Sequence, residues 1–143
     1  MTEVEKRNKN HFIDSNIWLY AFIETPHKSL IANSLVKSVK GIDITITTQV
    51  INEVCVNLIK KALYPEEKTR NLIESFYNKY NVLEIDRKIL IKASDIRTHH
   101  NFSFWDSLIL ASALHGDCDI LYSEDMQHGL TIEGRLEIRN PFL

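Results

Sequence analysis

The sequence predicts an α/β fold, an open αβα sandwich in which helices cover both faces of a small, mainly parallel sheet. Short apolar segments typical of strands alternate along the 143 residues with segments whose apolar residues recur at helical spacing. With only 4 Gly and 3 Pro and no internal repeat, the chain should be mostly regular structure in a single unit. We expect a polar tail at residues 1–10, followed by one domain over residues 11–143.

The first half of the chain predicts two strands and three helical segments. Ile42, Ile44 and Ile46 alternate with polar residues, which is the period of a strand. Pro26 interrupts the first helical segment, and Gly41 is placed to end the second. The predicted strands are 11–14 and 42–46, and the predicted helices are 18–22, 30–39 and 49–62.

The second half of the chain predicts three further strands and three further helices. Pro65 and the two glutamates after it suit the first turn of a helix, where the backbone N–H groups favour negative charge. Asp86 is placed to cap the next helix with its side chain. The segment 104–115 is apolar nearly all round, so this helix should be buried. The predicted strands are 82–85, 119–123 and 136–139, and the predicted helices are 65–80, 86–96 and 104–115.

The charge balance and the apolar content exclude several classes of protein. Lys and Arg number 17 against 19 Asp and Glu, a net charge of −2, so the chain lacks the basic surplus of proteins that hold long nucleic acids by their phosphates. Any nucleic acid would be bound locally or through metal ions. No apolar run approaches the ~20 residues of a membrane-spanning helix, and the polar start of the chain has no apolar core of an export signal. We expect a cytoplasmic protein that does not enter membranes.

The two cysteines, Cys55 and Cys118, lie far apart in apolar surroundings. They form neither the closely spaced pairs of a zinc site nor a disulfide framework. We expect both to be buried, reduced thiols.

Acidic residues fall where the predicted strands end or where helices begin. Asp14 ends the first strand, and Glu124 and Asp125 directly follow a later strand. Glu53 and Asp106 lie in the opening turns of two helices. Ligands of a doubly wound sheet bind at the carboxyl ends of its strands. Carboxylates from four separate segments should therefore converge at this edge of the sheet.

Each of these acids also has a structural interpretation. Asp14 is placed to cap the helix that follows it, and Asp106 stands at nearly the spacing of a capping box with Ser103. Glu53 lies roughly opposite the apolar stripe of its helix, as a solvent-exposed glutamate would, and Asp125 suits an ordinary turn. Against the structural interpretation of Asp106, the residue shares its helical face with apolar residues. A carboxylate on a buried face is unfavourable unless a cation or hydrogen-bond donors meet it.

Together, the acids predict a site for a hard metal ion. Crowded carboxylates repel one another, which raises the pKa of some of them unless a cation is present. Oxygen ligands without Cys or His select Mg²⁺ or Mn²⁺ over zinc. Such ions lower the pKa of a water and stabilise the charge of an in-line displacement at phosphorus. Carboxylates alone therefore suffice for a phosphodiesterase, in which the metal rather than a basic surface would hold the phosphate.

Four stretches of the chain resemble PIN-domain proteins, and in particular the VapC-type toxins of bacterial and archaeal toxin–antitoxin pairs. The resemblance runs from about His11 to the C-terminus and is carried by 12–16 (FIDSN), 49–53 (QVINE), 104–113 (FWDSLILASA) and 121–129 (LYSEDMQHG). It implies a metal-dependent ribonuclease with a small parallel sheet. In such an enzyme a metal-activated water hydrolyses RNA and leaves a 5′-phosphate and a 3′-hydroxyl.

The resemblance also implies roles for individual residues. Asn16 and Ser123 fall where such proteins often place polar groups that orient the acids or the waters of the metal. Glu124, beside Asp125, is an alternative fourth ligand or a supporting residue. The catalytic residues, which would also hold the Mg²⁺ or Mn²⁺, are Asp14, Glu53, Asp106 and Asp125.

The partners that the resemblance implies are an RNA substrate, a cognate antitoxin that lies over the active-site groove, and a second copy of the chain in a homodimer. Two other functions stay open: a housekeeping RNA-processing PIN nuclease, and a catalytically silent PIN fold that binds RNA or protein. Small size and near-neutral charge favour the toxin, and the presence of all the acids argues against a silent fold. An aspartyl-phosphate phosphatase would need a second Asp two residues after Asp14, where this chain has Asn16.

The aromatic and histidine residues near the acids receive structural interpretations. Trp105, next to Asp106, suits packing in the core better than a platform on which nucleobases stack. His99, His100 and His128 are interpreted as surface histidines, because the chemistry does not need them.

Overall fold

The structure, a computed structural model, describes residues 9–143, so most of the tail predicted at residues 1–10 lies outside the described residues. Helices and strands alternate through most of this range, as predicted. In chain order the elements are β1 (His11–Ile13), α1 (Ser15–Phe22), α2 (Lys28–Ser38), β2 (Ile44–Thr47), α3 (Thr48–Ala62), α4 (Glu66–Lys79), β3 (Asn81–Leu83), α5 (Arg87–His99), α6 (Phe104–His115), β4 (Ile120–Tyr122), β5 (Thr131–Ile132) and β6 (Leu136–Arg139).

The strands form one sheet in the order β3-β2-β1-β4-β6-β5. Every neighbouring pair is parallel except β5 and β6, which are antiparallel. The predicted α/β fold with a mainly parallel sheet is therefore confirmed. The strand order changes direction between β1 and β4, since β2 and β3 extend the sheet on one side and β6 on the other. Doubly wound sheets form their ligand-binding crevice at such a switch point.

Helices cover the sheet on both of its faces. All the residues of β2 are buried, including Thr45 and Thr47, whose side chains alternate with the isoleucines that predicted this strand. A parallel sheet between two helical layers buries both sets of side chains. Among the helices, α1 packs against α2 and α3, and α5 packs against α6.

Gly41 does not end a helix, contrary to the prediction. The helix α2 ends at Ser38, and Gly41 opens a short 3₁₀ turn, Gly41–Asp43, that leads into β2. A Cβ atom at Gly41 would lie 2.5 Å from the carbonyl oxygen of Lys79. Glycine is needed here because the turn passes directly against the end of α4. The same turn removes Ile42 from the predicted strand, and its side chain is 72% exposed.

The helix α6 is buried along most of its length, as predicted. Its residues from Ser107 to Leu114 are all buried. Its first turn is capped by Ser103, whose Oγ accepts a hydrogen bond from the N–H of Asp106 at 3.1 Å. Among residues 9–143, no helix combines the length and the apolar character that crossing a bilayer requires.

The strand β5 was not predicted. It has only two residues and pairs with β6 across a turn in which Glu133 and Gly134 adopt positive φ angles of 52° and 68°. Two residues are too few to show the periodicity on which strand prediction depends.

The two cysteines are free and buried, as predicted. Burial raises the pKa of Cys118 to about 12, so this thiol is protonated at neutral pH. The pKa of Cys55 is raised by the same cause. Neither thiol is a reactive thiolate.

Candidate functional site

The switch point of the sheet positions Asp14. Because β1 and β4 pair with Ile13 opposite Tyr122, the next residues, Asp14 and Ser123, leave the sheet side by side. The N–H of Asp14 donates to the carbonyl oxygen of Tyr122 at 3.0 Å. Ser123 Oγ, which is fully buried, donates to Asp14 Oδ2 at 2.8 Å. The first of the predicted acids therefore lies at the carboxyl edge of the two central strands.

Asp14 is a buried carboxylate beside other negative charges. It is 3% exposed, and its Oδ1 accepts a hydrogen bond from the N–H of Ser15 at 2.7 Å, which caps α1. Burial is the main cause that raises the pKa of Asp14 to about 6, and the charges of Glu53 and Asp125 add to it. The hydrogen bonds from Ser123 and Ser15 act in the opposite direction. Asp14 therefore both caps α1 and belongs to a cluster of acids. We call this set the acidic cluster; its members are Asp14, Glu53, Asp106 and Asp125.

Glu53 reaches the same edge from α3. The side chain of Thr47, the last residue of β2, caps α3, so this helix begins at the sheet edge. Ser15 Oγ donates to Glu53 Oε2 at 2.7 Å, and Gln49 Nε2 donates to Glu53 Oε1 at 3.1 Å. Glu53 is half-buried rather than solvent-exposed. Glu53 lies opposite the apolar stripe of α3, yet it is half-buried because α3 begins at the edge of the sheet.

Asp125 joins the cluster from the loop after β4. Asn16 Nδ2, in the first turn of α1, donates to Asp125 Oδ2 at 3.0 Å. The N–H of Asp125 donates to Ser123 Oγ at 3.2 Å. The two polar residues that the resemblance marked as supporting, Asn16 and Ser123, thus both contact acids of the cluster.

Asp106 completes the cluster from the first turn of α6. Burial is the main cause that raises the pKa of Asp106, and the charges of Asp125 and Glu53 raise it further. A hydrogen bond from Ser103 acts in the opposite direction. The capping contact with Ser103 and the proximity to other acids are both present, so the two interpretations of Asp106 are compatible.

Glu124 belongs to a different group of side chains. Tyr20 Oη donates to Glu124 Oε1 at 2.7 Å, and Lys28 forms an ion pair with its other oxygen. Burial acts to raise the pKa of Glu124, but the hydrogen bonds from Lys28 and Tyr20 and the charge of Lys28 hold it below its usual value. Asp125, and not Glu124, is among the charges that raise the pKa of the other acids of the cluster. The structure therefore places Asp125, the residue that the sequence analysis assigned, with the other acids, and pairs Glu124, the alternative, with Lys28.

The donor set of the cluster suits a hard divalent cation. None of the ion pairs formed among residues 9–143 includes any of its acids. In the described part of the chain no three acidic, histidine or cysteine side chains are close enough together to form a group that could hold a metal ion. Oxygen donors with uncompensated negative charge fit Mg²⁺ or Mn²⁺ better than zinc. The members of the cluster are Asp14, Glu53, Asp106 and Asp125.

Trp105 is not in the core, so its predicted packing role is wrong. Its side chain is 61% exposed at the start of α6, directly before Asp106. The ring contacts Phe104 edge to face, with the centroids 5.8 Å apart. Sequence periodicity could not place Trp105, because a helix that is apolar nearly all round shows no preferred face. The histidines interpreted as surface residues are exposed, as predicted, namely His99, His100 and His128.

A family model for the PIN domain matches residues 11–129. The chain therefore belongs to the PIN domain family, and the resemblance seen in the sequence is confirmed. Comparison with curated protein sequences finds no match.

Solved structures with the same fold include components of toxin–antitoxin systems. A toxin–antitoxin complex from Klebsiella pneumoniae has a TM-score of 0.70 and 17% sequence identity, covering 92% of this chain and 98% of that chain. VapC20 of Mycobacterium tuberculosis, a toxin that cleaves the sarcin–ricin loop, has a TM-score of 0.66 and 14% identity, covering 78% and 87%. VapBC2 from Rickettsia felis, bound to a DNA fragment from its promoter, has a TM-score of 0.62 and 18% identity, covering 91% and 98%. At these identities the similarity establishes the fold.

Proposed function

We propose that this chain is a metal-dependent ribonuclease and the toxin of a toxin–antitoxin pair. The observation that supports a catalytic site most strongly is the environment of Asp14, a carboxylate buried at the switch point beside other acids and in no ion pair among the described residues. A residue needed only as a helix cap gains nothing from this environment, because desolvation and repulsion both destabilise its ionised form. The toxin assignment is supported by the structural relatives that are toxins or toxin–antitoxin complexes.

The acidic cluster would hold Mg²⁺ or Mn²⁺ through its carboxylate oxygens. When bound, the ion supplies positive charge for the scissile phosphate and lowers the pKa of a water. The protein orients the acids: Ser123 and the N–H of Ser15 hold one oxygen each of Asp14, and Asn16 holds Asp125. Hydrolysis would add water across the bond between phosphorus and the 3′ oxygen, which leaves a 5′-phosphate and a 3′-hydroxyl.

The proposed partners are an RNA substrate, a cognate antitoxin and a second copy of the chain. The antitoxin is supported by relatives solved as toxin–antitoxin complexes, among them the Klebsiella pneumoniae and Rickettsia felis assemblies. The near-neutral net charge of −2 supports a local mode of RNA binding that depends on the metal rather than on a broad basic surface.

Thermal unfolding with increasing Mn²⁺ tests the metal site without knowledge of the RNA. A ligand that binds only the folded state at 100 times its Kd stabilises that state by about 2.7 kcal/mol. We expect the unfolding midpoint of the wild type to rise with Mn²⁺, and that of Asp14→Asn not to rise. Glu124→Gln is the matched control, because Glu124 is paired with Lys28 and lies outside the cluster. It should respond to Mn²⁺ as the wild type does.

The comparison concerns the metal-dependent shift and not the starting midpoint, since removal of a buried charge changes the latter by itself. An equal response of all three proteins would place the Mn²⁺ elsewhere. No response in any of them would favour a PIN fold that binds RNA or protein without metal chemistry.

A further inference from the structure

An aromatic surface borders the acidic cluster. Phe104 and Trp105 are the first two residues of α6, and Asp106 of the cluster is the third. The two aromatic side chains are 40% and 61% exposed. They meet edge to face, with an interplanar angle of 81°. This contact restricts the indole of Trp105 while leaving most of its surface open to solvent.

Positive charge adjoins this aromatic surface. The guanidinium of Arg97, near the end of α5, lies 6.0 Å from the centroid of the Phe104 ring. His99 and His100 follow it and are exposed. Among residues 9–143, none of the ion pairs occupies Arg97. The surface therefore combines an open ring face with a cation that is available to a phosphate.

We propose that Trp105 is a stacking platform for an unpaired nucleobase next to the scissile phosphate, an inference that rests on the proposed ribonuclease function. Trp105 directly precedes Asp106 in the first turn of α6 and is mostly exposed, so a strand whose phosphate lies at the cluster can bring an adjacent base to the indole. Aromatic side chains stack bases of any identity, because every base has a π face. The base must be unpaired, since the bases of an RNA helix are already stacked and are reached only at the groove. Trp105 would thus position the strand rather than take part in the chemistry.

A nucleic acid explains this surface better than a protein partner does. An interface between proteins is typically built around apolar contacts from several elements. Trp105 instead directly precedes Asp106, an acid of the cluster, and contacts Phe104, whose ring centroid lies 6.0 Å from the Arg97 guanidinium. Stacking rings beside cations are the combination that single-stranded nucleic acids require.

Intrinsic fluorescence reports the proposed contact directly. The chain has 2 tryptophans, and the other one, Trp18, is 1% exposed, so quenching by an added ligand reports Trp105. The probe for quenching is an unlabelled oligoadenylate of twelve nucleotides in Mn²⁺. The same strand labelled with fluorescein measures binding by anisotropy, and a gel measures strand integrity. An abasic strand of the same length presents the phosphates without the bases. We expect the oligoadenylate to quench the wild type, and neither the abasic strand nor the Trp105→Phe protein to show this quenching.

The affinity of variants separates stacking from a structural role. Trp105→Ala should bind oligoadenylate about 5- to 100-fold more weakly, and Trp105→Phe should recover part of the loss because it keeps a ring. Tyr77→Ala is the matched control, an exposed aromatic on α4 that lines a cavity with Asn10 and Asn81 near the amino ends of β1 and β3. It should bind as the wild type does. Unfolding midpoints should be unchanged in the Trp105 variants, since the side chain is exposed.

Each other outcome decides against the inference. If the wild type binds or cleaves the strand without quenching, the stacking role is overturned and the ribonuclease proposal stays intact. The same holds if Trp105→Ala binds the strand with unchanged affinity. If the wild type binds no oligoadenylate, the stacking role is also overturned. The proposed function is tested separately, by the Mn²⁺ titration of the wild type and Asp14→Asn. Emission that shifts with protein concentration in the absence of RNA would identify the surface as an interface between copies of the chain.

Discussion

Glu124 and the acidic cluster lie side by side at the carboxyl edge of the sheet, and their negative charges are balanced differently. Glu124 is hydrogen-bonded by Tyr20 and paired with Lys28, whose Nζ also lies 4.7 Å from the centre of the Tyr20 ring. Its pKa is held below the usual value. One residue further along, Asp125 belongs to the cluster that includes Asp14. Burial and the neighbouring acids raise the pKa of Asp14 to about 6.

At this edge of the sheet, the negative charge of Glu124 is balanced by a lysine, and the charges of the cluster are not balanced by an ion pair among the described residues. The fold brings Lys28 to Glu124 across 96 positions of sequence, yet in the described residues it places no lysine or arginine in an ion pair with the cluster. Glu124 is stabilised by the charge of Lys28, whereas the acids of the cluster have no such cation among the described residues. Glu124 and the acidic cluster, which we propose to be the metal site, can therefore be compared directly.

The largest effect that would test this contrast is on RNA cleavage. We expect Asp14→Asn and Asp106→Asn to reduce cleavage by about 1000-fold or more, because each removes a charged oxygen donor from the proposed metal site. Glu124→Gln should retain most of the activity. The measurement is Mn²⁺-dependent cleavage of RNA by purified proteins, with circular dichroism as the test of folding. Wild-type rates in either Asn variant would end the assignment of the cluster as catalytic.

A second effect, on stability, has opposite signs in the two groups. The pKa of Asp14 is raised from 3.8 to about 6 in the folded state. A raised pKa means that the folded state binds the proton more tightly, so stability is greatest below pH 4 and falls as the pH rises through 6. In metal-free buffer at pH 7.5, Asp14→Asn should therefore be more stable than the wild type, by up to about 3 kcal/mol. At pH 4 the advantage should vanish.

The control for this effect is Glu124→Gln. Because the pKa of Glu124 is lowered, its ionised form contributes stability above its unfolded pKa, and that contribution is lost as the pH falls. The Gln variant should thus be slightly less stable than the wild type at pH 7.5, by a small amount since the ion pair with Lys28 is partly exposed. Chemical denaturation across pH 4–8 measures both variants. Equal signs for the two substitutions would remove the distinction between the groups.

The smallest effect concerns the hydroxyl that orients the cluster. Ser123→Ala removes the buried donor to Asp14 Oδ2 and the acceptor for the N–H of Asp125, at a cost of about 1–2 kcal/mol. Because this hydrogen bond lowers the pKa of Asp14, its loss should raise that pKa further and make the destabilisation larger at pH 7.5 than at pH 5. Ser112→Ala is the control, since Ser112 is equally buried but donates within α6 to Leu108. Its loss of stability should not depend on pH.

The sequence predicted those parts of the site that local patterns specify. Asp14 was found because the end of a short apolar strand is visible in the residues around it. Glu53 looked exposed on its helix, since its position depends on where β2 delivers the start of α3. The choice between Glu124 and Asp125 depends on Lys28, which is distant in sequence and close only in the fold.

For the fold as well, the sequence predicted the features that depend on local patterns and missed those that depend on contacts between distant segments. Alternating segments indicated the α/β class, and the predicted bounds 104–115 and 136–139 coincide with α6 and β6. The role of Gly41 was misjudged because the constraint on it comes from the carbonyl of Lys79, a contact between distant segments. Trp105 was misplaced because the uniform apolar character of α6 hides which of its residues face water.

The brevity of the outermost strands limits how this protein can associate. The sheet is bounded by β3, with three residues, and β5, with two. Neither edge presents a row of free peptide groups long enough to template an added strand, so both sheet edges resist amyloid-like joining and β-augmentation. We therefore expect a protein partner to bind mainly through helices and side chains rather than by adding a strand to the sheet.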